Sequence, residues 1–164
     1  MTSPTPADHH FDYIIIGAGS SGCVLANRLS ANLNCEVLLL EAGPRDHHPL
    51  IHMPSGVALL LKHKKLNWCY RSAPQEAMNE RQITIPRGKT LGGSSAINGM
   101  VHIRGQREDY DEWRSLGNAG WGYDDVLPFF RQSETNLGAN LDSGYHGSQG
   151  PLTISDRTST HPLS

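Results

Sequence analysis

The sequence predicts an α/β protein built on one strand–helix–strand unit near its start, and three observations predict it. A β-branched run at residues 11–16 reads as a buried strand and ends at Gly17. Residues 23–33 then carry apolar side chains at Val24, Leu25, Ala26 and Leu29, a helical recurrence. Val37, Leu38, Leu39 and Leu40 form a second buried apolar run that stops at Glu41. Strand, helix and strand in about thirty residues make one βαβ unit, whose crossover is expected to be right-handed.

The later elements are less regular. Gly43, Pro44, Pro49 and Pro54 break residues 42–54 into loop. A short helix is expected over 56–64, and two strands over 67–72 and 81–85. Residues 86–105 are rich in glycine and serine. Residues 106–116 and 124–133 read as amphipathic helices, with Asp124 the expected N-cap of the second. Residues 138–150 are turn-rich, and 151–155 read as a strand. Residues 1–10 read as a disordered leader and 11–164 as one domain. The polar stretch 156–164 follows a strand with no visible partner, so the chain is expected to be the N-terminal portion of a larger protein. No internal repeat or low-complexity segment interrupts it.

Composition narrows the function. The formal net charge of −2 provides no basic surface for nucleic acid or an anionic membrane. Three cysteines, Cys23, Cys35 and Cys69, are odd in number and lack C-x-x-C spacing, which argues against a disulfide framework or a structural zinc site. The first ten residues do not have the layout of a signal peptide, and the apolar runs are far too short to cross a bilayer. A cytoplasmic protein is expected, with peripheral membrane contact left open.

The turn after the first strand carries chemistry. Gly17-Ala18-Gly19-Ser20-Ser21-Gly22 matches G-x-G-x-x-G in the strand-to-helix position that the Rossmann-like dinucleotide-binding mechanism requires. Gly17 allows the tight turn. Gly19 lets a pyrophosphate approach the backbone, and Gly22 lets the helix pack closely on the strand. Free N–H groups of the helix's first turn, with donors from Ser20 and Ser21, would face the phosphates. Glu41, about twenty residues on, is placed to accept hydrogen bonds from an adenosine ribose, and its charge disfavours a 2′-phosphate. This motif alone does not separate FAD from NAD.

A second stretch does. Arg87-Gly88-Lys89-Thr90-Leu91-Gly92-Gly93-Ser94-Ser95-Ala96-Ile97-Asn98-Gly99-Met100-Val101-His102-Ile103-Arg104-Gly105 closely resembles the first signature of the glucose-methanol-choline (GMC) oxidoreductases. Glu41-Ala42-Gly43, Trp68-Cys69-Tyr70, Pro74-Gln75, Tyr110 to Trp113, Gly120-Trp121 and Val126-Leu127-Pro128 are similar to that family as well. The likeness runs from Phe11 to Ser164 and points to the branch of bacterial choline and alcohol dehydrogenases. It implies an FAD-binding fold whose cofactor contacts include Ala42, Arg87, Leu91, Gly92, Gly93, Ser94, Asn98, Gly99, Met100 and Val101, besides Gly17, Gly19, Ser20, Ser21, Gly22 and Glu41. Lys89 and Arg87 would favour the cofactor's negative charge. The implied reaction is oxidation of an alcohol, with hydride transfer to flavin N5, a base taking the hydroxyl proton, and an electron acceptor that the sequence does not name.

Where members of the family bond a histidine covalently to the flavin, this chain has Ile97, which predicts non-covalent FAD. The family's catalytic histidine belongs to a C-terminal segment beyond these residues. No catalytic residue is therefore assigned, and the chain alone is expected to bind FAD weakly or not at all and to oxidise no alcohol. His102, at a usually aromatic position, reads as a flat, half-buried ring. His47, His48 and His52 read as solvated loop residues rather than metal ligands, and Asp109, Asp111 and Glu112 as a solvated helix face. Trp113, Trp121, Phe129 and Phe130 read as core, while Trp68 suits either core or the cofactor's vicinity. Two alternatives stay open: a free-standing module complemented by a second chain, and an NAD-binding protein.

Overall fold

The computed structural model describes residues 9–139 and 141–156. Most of the expected leader and the tail 157–164 lie outside them. The chain divides into two compact units, Met1–Val101 and His102–Ser164.

The first unit is built on the βαβ element. Strand β1 (Tyr13–Ile16) pairs in parallel with β2 (Val37–Leu40), Tyr13 opposite Val37 and Ile16 opposite Leu40. Helix α1 (Ser20–Leu29) connects them. It starts three residues before the apolar recurrence and stops four residues short of the expected end. Its first turn is made of the small residues Ser20, Ser21 and Gly22, to which hydrophobic periodicity is blind. The strands are less buried than their composition predicts. Side chains alternate between the two faces of a strand. Ile15 turns toward α1 and is half-buried, whereas Ile14 and Ile16 point away and are 58% and 86% exposed.

Beyond β2 the chain runs through two 3-10 turns, Pro49–His52 and Pro54–Gly56, into a single-turn helix α2 (Val57–Leu60), shorter than expected. Strands β3 (Tyr70–Arg71) and β4 (Thr84–Ile85) form a two-residue antiparallel pair. Cys69 adopts φ 51°, a conformation that a continuing strand does not tolerate, which limits the predicted run 67–72. The apolar centre of the unit is Leu60, Leu66 and Ile97, packed by Leu50, Ile51 and Ala96.

Beside this centre sits Asn67, 1% exposed. Its amide donates to the carbonyls of Leu60 and Leu61, and its Oδ1 accepts from the N–H groups of Cys69 and Arg87 at 2.9 and 3.0 Å. One side chain thus ties α2 to the start of the glycine-serine segment. Asn67→Leu strands these buried backbone groups and is expected to cost about 2–4 kcal/mol, read as a lowered urea midpoint.

The second unit begins with α3 (Arg107–Ser115) and α4 (Tyr123–Ser133). Asp109 accepts from the backbone of its N-cap residue Gln106 at 2.9 Å. The N-cap of α4 is Gly122, not Asp124, and Asp125 accepts from the Gly122 N–H at 3.1 Å. Asp111 accepts from the Tyr123 N–H and pairs with Arg114, so two of the three carboxylates expected to be merely solvated hold helix ends. Strand β5 (Glu134–Asn136), absent from the sequence reading, follows α4 directly and pairs in parallel with β6 (Leu152–Ile154). The terminal strand therefore has a partner. A three-residue strand fused to a helix end has too little pattern to be seen locally.

The expected aromatic core is not one. Trp113, Trp121 and Phe129 are 46%, 53% and 68% exposed, and Phe130 is half-buried. The buried centre of this unit is ionic. Glu134, 1% exposed, pairs with Arg104, whose side chain is 4% exposed, and His146 Nδ1 lies 2.7 Å from its other oxygen. The Gly147 N–H also donates to Glu134. Arg104 donates to the Tyr145 carbonyl at 2.7 Å, and its guanidinium lies over the Phe130 and Tyr145 rings.

Candidate functional site

In the first unit the chain turns sharply between β1 and α1. Gly17 adopts φ 98°, which only glycine takes without strain. A Cβ on Gly22 would lie 1.9 Å from the Gly17 carbonyl oxygen, so the helix touches the turn only because Gly22 has no side chain. A Cβ on Gly19, by contrast, would meet nothing within 4 Å. It would project into open space above the first turn of α1, the space a phosphate group needs.

The glycine-serine segment comes to the same place. The Gly92 N–H donates to the Ala18 carbonyl at 2.8 Å. Gly93, buried and at φ 57°, comes so close that an added Cβ would sit 2.7 Å from the Gly19 Cα. Gly88 backs Gly93 at similarly close range, and its N–H donates to Ser94 Oγ at 3.1 Å. Two stretches of backbone more than seventy residues apart thus touch, and the closest approach is glycine on glycine.

They floor a cleft of about 1060 Å³, lined by Gly17, Gly19, Ser20, Ser21, Gly22, Glu41, Ala42, Arg87, Gly93 and Ser94. These are ten of the sixteen expected cofactor residues. The Glu41 carboxylate accepts from the Ala18 N–H at 2.8 Å and the Gly43 N–H at 2.9 Å. Each oxygen retains a second acceptor site, so Glu41 can orient the turn and still accept a hydroxyl. Leu91, Gly92, Asn98 and Met100 line a separate cavity of about 400 Å³, walled by Leu50, Ile51, His52 and Val57. Gly99 and Val101 are exposed and line neither.

Sequence reasoning missed Gly88 as a lining residue and left Trp68 undecided. Trp68 is 41% exposed and lines the larger cleft, which removes the core reading. It stacks on Tyr70, and Lys89 Nζ lies 4.4 Å from its ring centroid. Its cue was the resemblance alone, since one tryptophan has no periodicity. Ile97 is 3% exposed in the apolar centre. His102 is exposed rather than half-buried. His48 caps a 3-10 turn through Nδ1, and His52 Nε2 lies 2.7 Å from the Asp46 carbonyl.

A βαβ unit with a glycine cradle at the start of its helix and a carboxylate at the end of its second strand defines the class: a Rossmann-like dinucleotide-binding protein. The sequence profile of the GMC oxidoreductases matches residues 11–162, and the chain belongs to that family. It is 56% identical over 154 residues to the alcohol dehydrogenase [acceptor] of Pseudomonas putida, covering 94% of this chain and 28% of that protein. It is 47% identical over 152 residues to the oxygen-dependent choline dehydrogenase of Rhizobium etli (strain CIAT 652), covering 93% and 27%. Among solved structures, it resembles the pyridoxine 4-oxidase of Mesorbium loti with TM-score 0.80 and 35% identity, covering 88% of this chain and 28% of that one. A formate oxidase from Aspergillus oryzae gives TM-score 0.81 and 32% identity, covering 94% and 28%. The chain spans a little over a quarter of the length of these relatives. Among the described residues, no helix is long and apolar enough to cross a membrane.

Proposed function

We propose that this chain is the FAD-cradling portion of a flavin-dependent oxidoreductase acting on the CH–OH group of an alcohol, and that it holds the cofactor non-covalently. The observation that carries the reading is the approach of Gly93 to Gly19 at the floor of the larger cleft, beside open space over the N-terminus of α1. The residues fit the group. Backbone N–H groups at Ser20 and Ser21 would meet the pyrophosphate at the positive end of the helix. Glu41 would accept from the ribose, and Arg87 would lower the energy of the negative charge. Ala42, Gly93 and Ser94 would bound the cofactor, and Trp68 would wall it. Leu91, Gly92, Asn98, Gly99, Met100 and Val101 are proposed to continue the site from the neighbouring cavity.

When bound, the flavin supplies the hydride acceptor. The chain's own part is to bind, orient and exclude water, and none of its cleft residues is assigned proton transfer. The base that takes the hydroxyl proton, the choice of alcohol and the electron acceptor belong to the whole enzyme. The names of two relatives, an alcohol dehydrogenase and a choline dehydrogenase, favour an alcohol substrate, choline among the candidates. Ile97 supports non-covalent binding, because an alkyl side chain packed among Leu60 and Leu66 has no group to bond a flavin.

The test is binding of FAD by the full-length enzyme, followed by acid precipitation. Flavin is expected in the supernatant, and flavin retained in the pellet would mean a covalent link. Gly19→Val is expected to leave the circular dichroism spectrum unchanged, since its Cβ meets nothing, while weakening FAD binding at least about tenfold. Unaltered affinity would remove the cradle reading. Preference for NAD over FAD would favour the nicotinamide alternative. Turnover restored only by a second chain would favour the complemented module.

A further inference from the structure

Asn67 is buried and uses its full hydrogen-bonding capacity. Its amide group donates to the carbonyls of Leu61 at 3.0 Å and Leu60 at 3.4 Å, and Oδ1 accepts from the N–H groups of Cys69 and Arg87. Both acceptor bonds fall beside the larger cleft. Cys69 follows Trp68 directly, and Trp68 and Arg87 each line that cleft. The Trp68 N–H donates in turn to the Arg87 carbonyl at 2.9 Å, so the two residues lie side by side. Cys69 stands at φ 51°, in the left-handed region that a residue with a side chain keeps only when its surroundings hold it there. Asn98 makes the same local bond to the N–H of Met100, at φ 58°, whereas Asn67 also reaches twenty residues along the chain to Arg87.

We propose that Asn67 is a positioning residue for the cofactor, holding Trp68 and Arg87 as a pair on one wall of the larger cleft. The inference rests on the reading of that cleft as the FAD site. Asn67 does not itself line the cleft and acts through the backbone of its neighbours. Its bond to the Cys69 N–H fixes the turn that follows Trp68. Its bond to the Arg87 N–H fixes the start of the glycine-serine segment against that turn. The indole is held in turn by Tyr70, stacked at 5.8 Å with the rings 8° from parallel, and by Lys89 Nζ, 4.4 Å from its centroid. Without Oδ1 the Cys69 turn loses the acceptor that keeps it left-handed, and Trp68 and Arg87 lose their fixed spacing. An aromatic ring and a cation that are already in place give up less freedom when the cofactor arrives, so affinity depends on the clip as well as on the two side chains.

The test is a mutant cycle on the full-length enzyme, stripped of FAD and titrated back with it. Asn67→Ala is expected to raise the Kd for FAD at least about tenfold. Leu66→Ala, which opens a cavity in the apolar centre away from the cleft, is expected to lower the urea midpoint while changing that Kd by less than about threefold. In a Trp68→Leu, Arg87→Gln background, Asn67→Ala is expected to cost less than about threefold more, because the residues it acts through are gone. An unchanged Kd in Asn67→Ala, the same tenfold loss in that background, or an equal loss in Leu66→Ala overturns the proposal. Should Asn67→Ala fail to fold, amide exchange in the wild type decides. FAD is expected to raise protection of the Cys69 and Arg87 N–H groups at least about fivefold more than that of the Leu66 N–H, since coupling between clip and cofactor is reciprocal. An equal rise at all three overturns it. Gly19→Val separates the two readings: if it leaves FAD affinity unaltered the cleft assignment itself falls, and if it weakens binding while Asn67→Ala does not, only the positioning role falls.

Discussion

Glu134→Ala is expected to unfold the second unit, because it leaves the buried guanidinium of Arg104 without its counter-charge. Removing one partner of a buried ion pair costs about 3–5 kcal/mol, much of it the penalty of the stranded charge. That is a large part of a small domain's whole stability. The same site sets an acid limit. Burial alone would raise the Glu134 pKa, but hydrogen bonds from His146 and Arg104, the Arg104 charge and the Gly147 N–H outweigh it and hold the carboxyl at about 2 rather than 4.5. A carboxyl depressed in the folded state stabilises the protein above its unfolded pKa and stops doing so as pH falls through the folded value. The contribution, about 3 kcal/mol, is thus whole above about pH 5 and fades toward pH 2. Urea midpoints at pH 7, 4 and 3 read it directly. The gap between wild type and Glu134→Gln should narrow steadily with acid, and a gap independent of pH would contradict the assignment.

Gly93→Ala is expected to damage fold and cofactor site together. The residue sits at φ 57°, and its added methyl would lie 2.7 Å from the Gly19 Cα, a backbone atom that cannot swing aside. Left-handed strain contributes about 1–2 kcal/mol and the forced separation of two backbones adds to it, for a loss of about 2–4 kcal/mol. FAD affinity should fall with it, because the Gly92 N–H bond to Ala18 is pulled from the cradle's floor. Gly117→Ala is the control. Its φ is 101° with nothing within 4 Å, so it carries the strain without the collision and should leave FAD binding unchanged. Equal losses of binding in the two variants would show that backbone strain, rather than the contact, is responsible.

What could be read locally was read correctly in kind. Residues 13–16 and 37–40 are paired strands, α1 joins them, and the glycine turn and Glu41 lie where a dinucleotide cradle requires them. The second glycine stretch was legible through its resemblance, and ten of the sixteen proposed residues share one cleft. The aromatic residues of α3 and α4 misled, because hydrophobicity reports what a side chain prefers and not whether anything is there to cover it.

By itself, then, the sequence determined the βαβ unit, the two side-chain-free turns and the family. The first two depend on periodicity or on the missing Cβ of glycine, properties that act within a few residues, and the family on a resemblance spread along the chain. The touch of Gly93 on Gly19, the Asn67 clip, the burial of Glu134 between Arg104 and His146, and the pairing of β5 with β6 were decided only in three dimensions. Their partners are far apart in the chain, and the energy of a buried polar contact exists only once folding has excluded water from it.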